Sequence, residues 1–128
     1  MKLLLDTHIF IWWDSEPARL SRAVLDLCTD SAHELVVSVA TLWEMQIKRQ
    51  LGKLDLRLPL AEIVAHQQET NGIMVLPVEQ THVLALEQLP NHHRDPFDRI
   101  LVAQALVEGA TLVSADPVLK SYPVEVRS

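Results

Sequence analysis

Four carboxylates stand where an apolar stretch ends or a hydrophobic helix begins. Asp6 follows Leu3-Leu4-Leu5, and Asp116 follows Leu112-Val113-Ser114-Ala115. Asp98 precedes the run Ile100-Leu101-Val102-Ala103, and Glu44 closes Thr41-Leu42-Trp43. An ionised carboxylate buried beside such sequence is costly unless it is paired. Several gathered in one pocket also repel one another and resist ionisation. A hard cation such as Mg2+ or Mn2+ removes both problems, because it takes oxygen ligands and Mg2+ keeps several waters. Such a centre suits hydrolysis of phosphodiesters. The ion acidifies and orients a water and neutralises charge growing on the phosphate oxygens.

For the four acids to meet, strands and helices must deliver them to one end of a sheet. Residues 2–5 read as a short buried strand that stops at Asp6, and residues 35–37 as a second strand. Residues 73–78, broken by Pro77, and 111–113 supply two more, and 124–126 a short fifth. Between them lie helical patterns. Residues 8–13 form a short helix or turn, with a break near Ser15, Glu16 and Pro17. Residues 20–29 place Leu20, Val24, Leu27 and Cys28 at helical spacing. Ser38 caps a helix running to about Leu51, whose expected apolar stripe is Val39, Trp43, Ile47 and Leu51, with Gly52 as its stop. Residues 58–70 turn Leu60, Ile63 and Val64 inward before Asn71-Gly72, and residues 81–89 form a shorter helix. The clearest helix opens at Asp95-Pro96-Phe97-Asp98, with Asp95 at the N-cap, Pro96 first and Asp98 third, and ends at Gly109. Alternating strands and helices predict an α/β fold with a parallel sheet and helices on both faces. In such sheets ligands bind beyond the carboxyl ends of the strands, where Asp6 and Asp116 fall. Asp98 and Glu44 sit on helices able to reach the same place.

Each acid also has an ordinary explanation. Asp6 caps the turn after its strand, and Glu44 pairs with Lys48 one turn on. Asp98 favours the helix dipole, and Asp116 caps a short final helix. Only the four acids together, falling at one end of the sheet, point to a single centre. His92-His93 is read as a solvated loop over residues 91–94 rather than a zinc site, since adjacent histidines point apart. Arg94 and Arg99 are candidates to touch a phosphate. Trp43 is assigned to the core from its stripe; Trp12 and Trp13 serve the core, an interface or base stacking.

The 128 residues fit one domain spanning 1–128, and 48% hydrophobic residues supply one core. Met-Lys-Leu-Leu-Leu is too short for a signal peptide, and no apolar run is long enough for a membrane span, so a cytoplasmic protein is expected. Cys28 is the single cysteine, which excludes an internal disulfide and a thiolate cluster and reads as a buried thiol. The net charge of −6 argues against a basic nucleic-acid binder. It does not exclude a nucleic-acid substrate, because bound divalent ions reverse the local sign.

On these segments the chain resembles PIN-domain ribonucleases, and most closely the VapC-like toxins of type II toxin–antitoxin systems. The resemblance runs over nearly the whole length. Leu3-Leu4-Leu5-Asp6-Thr7-His8 matches the opening strand and first acid, and Ser38-Val39-Ala40-Thr41-Leu42-Trp43-Glu44 the second. The segment from His93 through Asp98 to Ala105 carries the third. Ser114-Ala115-Asp116 has the family's Thr or Ser, any residue, then Asp. The resemblance implies a PIN-like three-layer α/β/α sandwich with a short central parallel sheet of four to five strands. It implies a Mg2+- or Mn2+-dependent endoribonuclease, with Asp6, Glu44, Asp98 and Asp116 as catalytic and metal-binding residues. Thr7, Asp95 and Ser114 are supporting candidates, Asp95 chiefly as helix cap. By the same resemblance the partners are RNA, a second copy in a homodimer, and a cognate antitoxin. The antitoxin's C-terminal segment fills the groove, and DNA is reached only through its N-terminal domain.

Two rivals remain at the level of sequence. A receiver-type phosphorylated signalling domain needs an acceptor Asp after the third strand and a Lys after the last, and neither stands there. A catalytically inactive PIN-fold binding module would be expected to lack one of the four acids.

Overall fold

The computed structural model describes residues 1–93 and 95–128; Arg94 lies outside the described residues. Among the described residues there are five strands: β1 Lys2–Leu5, β2 Glu34–Ser38, β3 Met74–Leu76, β4 Thr111–Val113 and β5 Val126–Arg127. The helices are α1 Thr7–Ser15, α2 Arg22–Thr29, α3 Val39–Gln50, α4 Leu60–Asn71, α5 Gln80–Ala85 and α6 Pro96–Glu108. Short 3-10 turns cover Pro17–Arg19, Leu86–Gln88 and Pro117–Ser121. The strands pair in the order β3-β2-β1-β4-β5, every pair parallel.

Successive side chains of a strand point to opposite faces, and β1 shows what that achieves. Leu3 and Leu5 enter a core built with Ile9, Phe10, Val24, Leu35, Val37, Met45 and Ile63. Leu4, between them, enters a second core with Val36, Leu101, Val102, Leu112 and Leu119. All three leucines are fully buried, each contributing about 1.5–3 kcal/mol of hydrophobic stabilisation. Thus α1, α2 and α4 cover one face of the sheet, and α6 the other. Helix α3 contributes Met45 to the first core and Ala40 to the second. The three-layer sandwich with a short parallel sheet is as expected.

Several boundaries differ from the sequence reading: α1 spans Thr7–Ser15, α2 begins at Arg22 and α4 at Leu60, and three further elements change. Strand β3 is cut back to Met74–Leu76, because Pro77 has no N–H to continue a ladder. Strand β5 begins later than residue 124: Pro123 interrupts the chain, and β4 pairs through Leu112 N to Glu125 O and Ser114 N to Arg127 O. The helix expected over 81–89 is α5 followed by a 3-10 turn. The stops at Gly72 and Gly109 are as read, both left-handed with φ of 64° and 63°, the conformation that closes a helix end.

The expected stripe of α3 is wrong by one position. Val39, Trp43 and Leu51 are exposed, Trp43 by 63%, while Ala40, Thr41, Glu44 and Met45 are buried. The polar pair Thr41 and Glu44 can face inward because partners await it there. Trp43 lies outside, its ring edge-on to Phe97 at 5.3 Å between centroids.

Candidate metal centre

The sheet register decides where the acids go. Leu5 pairs with Val37 on one side and Val113 on the other, so Asp6, Ser38 and Ser114 stand level at the carboxyl end of three central strands. The strand order reverses direction about β1, which opens the crevice where α/β sheets bind ligands. The backbone N–H of Asp6 donates to Val113 O at 3.0 Å. Its side chain caps α1, accepting from Ile9 N at 2.9 Å. Burial drives the Asp6 carboxyl above its ordinary range, and the Glu44 charge adds to this. Hydrogen bonds from Ser114 and Ile9, and the nearby His8, act in the opposite sense.

Glu44 comes from the second turn of α3 and is buried. Its Oε1 lies 2.6 Å from Thr7 Oγ1, which is 3.2 Å from Thr41 Oγ1. Its Oε2 is 2.7 Å from Lys48 Nζ. The pairing with Lys48 is therefore present, but Glu44 is buried and not a surface residue.

Asp98 is the third residue of α6, as read, behind Asp95 at the N-cap and Pro96. Asp95 Oδ1 accepts from Phe97 N at 2.9 Å. The Asp98 carboxyl is pushed up to about 7. Burial is the largest cause; the charges of Asp95, Asp6 and Glu44 add to it, and His93 opposes it. Asp116 caps the turn Pro117–Ser121 through Val118 N at 3.0 Å, and its own N–H donates to Ser114 Oγ at 3.0 Å. Ser114 thereby serves two acids, Asp116 through its oxygen and Asp6 through its hydroxyl.

The residue that sequence reasoning misplaced is His93. The loop is not simply solvated: His93 Nε2 is 3.2 Å from Asp98 Oδ2 and 3.0 Å from Asp116 Oδ2. Its proximity to Asp95 and Asp98 was visible in the sequence. That Asp116 meets it from the far side of β4 was not. The Arg99 guanidinium reaches Leu86 O at 3.5 Å; Arg94 lies outside the described residues. Trp13 donates to Gln67 Oε1 at 3.1 Å. Trp12 packs partly on the first core, with the Arg19 guanidinium 4.7 Å from its ring centre.

Donor atoms of His93, Asp98 and Asp116 all lie within 4.8 Å of one another. Asp98 and Asp116 bring carboxylate oxygens together beside the His93 ring, and the Asp98 carboxyl is raised first by burial and then by neighbouring negative charge; this oxygen set fits a divalent cation. The third strand is followed by Pro77-Val78-Glu79 and offers no aspartate for phosphorylation.

A parallel five-strand sandwich with acids at the ends of β1 and β4 is the arrangement of the PIN domain. The family model for the PIN domain matches residues 3–125, and the chain belongs to that family. It is 32% identical over 123 residues to Ribonuclease VapC22 of Mycobacterium tuberculosis, covering 94% of this chain and 91% of that one. Its fold is shared with VapBC2 from Rickettsia felis, solved bound to a promoter DNA fragment (TM-score 0.74, 16% identity, 99% of this chain and 98% of that chain). DNA-bound VapBC from Salmonella typhimurium is also similar (TM-score 0.67, 17% identity, 99% and 97%). No helix among the described residues is long and apolar enough to cross a membrane.

Proposed function

We propose that this chain is a VapC-type endoribonuclease, the toxin of a toxin–antitoxin pair, working with Mg2+ or Mn2+ held by Asp6, Glu44, Asp98 and Asp116. The observation that carries the reading is the state of Asp98. It is half-buried, faces the charges of Asp95, Asp6 and Glu44, and is joined to Asp116 through His93. Similarity to a named ribonuclease over nearly the whole chain supports the activity. Similarity to VapBC complexes supports an antitoxin partner. A homodimer remains part of the proposal.

When bound, the divalent ion supplies a water acidic enough to attack phosphorus and offsets charge on the phosphate oxygens. Asp98 would present its oxygens from α6 and Asp116 from the turn after β4, with the Asp6 charge near enough to act on Asp98. Thr7 and Lys48 fix the Glu44 carboxylate. In the reaction the water oxygen bonds to phosphorus, the bond to the 3′ oxygen breaks, and that oxygen takes a proton. The products are a 5′-phosphate and a 3′-hydroxyl.

The test is cleavage of a mixed RNA pool by purified, antitoxin-free protein, with Mg2+, Mn2+ or EDTA, beside Asp6→Asn. Metal-dependent cleavage lost in the variant is expected, and 2′,3′-cyclic phosphate ends would contradict it. Intact RNA throughout, with normal antitoxin binding, would favour an inactive binding module.

A further inference from the structure

We propose that His93 is a positioning residue of the metal centre, an imidazole that fixes the spacing of Asp98 and Asp116. The inference rests on the reading of these acids as metal ligands. The two come from separate segments, Asp98 from the first turn of α6 and Asp116 from the turn after β4. His93 joins them at two points. Its Nε2 lies 3.2 Å from Asp98 Oδ2 and 3.0 Å from Asp116 Oδ2. Its backbone N–H donates to the hydroxyl of buried Tyr122 at 2.8 Å, and Tyr122 closes the turn that Asp116 opens.

The ring's orientation and tautomer are also set. Asp95 N–H donates to His93 Nδ1 at 3.0 Å. A nitrogen accepting that bond carries a lone pair, so the ring proton is on Nε2, aimed at both carboxylates. The Asp95 cap that starts α6 is therefore followed, in space, by a backbone donor that orients the histidine. Imidazole suits the place better than a longer cation. Lys or Arg would bring full positive charge between two ligands and oppose a divalent ion, whereas one N–H orients the oxygens and leaves their remaining lone pairs free. Outer partners of this kind typically contribute about 10- to 100-fold to metal affinity.

The experiment is calorimetric titration of the metal-free protein with MnCl2, for wild type, His93→Leu, His93→Gln, His92→Ala and Asp98→Asn, with thermal melts in EDTA to establish folding. Leucine keeps bulk and removes the donor; glutamine keeps an N–H at similar reach. His93→Leu is expected to weaken Mn2+ binding by about 10-fold or more, with glutamine recovering most of it. His92→Ala, which alters an edge contact to Tyr122 on the same loop, should bind as wild type does. Unchanged or tighter binding by His93→Leu overturns the proposal. So does a glutamine variant that folds and binds more than about 10-fold below wild type, which would make the imidazole a direct ligand; this arm decides alone if the leucine variant does not fold. Absence of Mn2+ binding by wild type would instead defeat the metal reading itself, and retention by wild type with loss in Asp98→Asn keeps the two failures apart.

Discussion

Thr7 Oγ1 stands 2.6 Å from Glu44 Oε1, a bond that ties the first residue of α1 to the second turn of α3 across 37 residues. Both residues are buried, so the hydroxyl is a partner water cannot replace. Thr7→Val keeps the shape and removes the donor. It should cost about 1–3 kcal/mol, the range for leaving a buried acceptor without one of its hydrogen bonds. Urea denaturation in EDTA measures this, and a midpoint equal to wild type would show that the bond contributes nothing.

Lys48 places a positive charge 2.7 Å from the other oxygen of Glu44. In the metal-free protein it offsets part of the acid cluster, and it opposes a divalent ion entering beside it. Lys48→Ala should therefore bind Mn2+ more tightly, on the order of tenfold for removing one nearby charge at intermediate dielectric. The metal-induced rise in Tm should grow accordingly. Weaker binding would mean that Lys48 chiefly orients Glu44.

Asp98 makes the metal-free protein sensitive to pH. Its carboxyl is raised from the usual range to about 7, first by burial and then by Asp95, Asp6 and Glu44. The folded state thus holds the proton more tightly than the unfolded chain. That stabilisation is complete below the unfolded carboxylate pKa and is lost as pH rises through about 7. In EDTA, Tm should fall between pH 5 and 8 more steeply for wild type than for Asp98→Asn. Parallel curves would show that Asp98 titrates as an ordinary carboxylate.

The inward face of α3 gives a prediction that separates pattern from packing. Met45 is 1% exposed and Trp43 is 63% exposed. Met45→Ala should cost about 2–5 kcal/mol, whereas Trp43→Ala should stay within about 1 kcal/mol, having mainly its edge contact with Phe97 to lose. The reverse ranking in urea melts would restore the stripe expected from four-residue spacing.

Much of this molecule was legible in its residues. Leu3-Leu4-Leu5-Asp6 marks a strand ending at a carboxylate because an apolar run must be buried and an acid must not be left alone there. Asp95-Pro96-Phe97-Asp98 marks a helix start because cap, proline and third-position acid each suit orphan N–H groups. These are local rules, and they placed Asp6, Asp98 and Asp116 correctly on their elements. The tertiary structure alone decided the rest. Which side of α3 faces inward depends on Thr7, on a different helix, being there to receive Glu44, not on where the largest apolar residues of α3 fall. The role of His93 depends on Asp116 returning from a distant turn. Spacing along the chain encodes the periodicity of a helix or strand, whereas a hydrogen bond between segments depends on how the sheet's register brings them together.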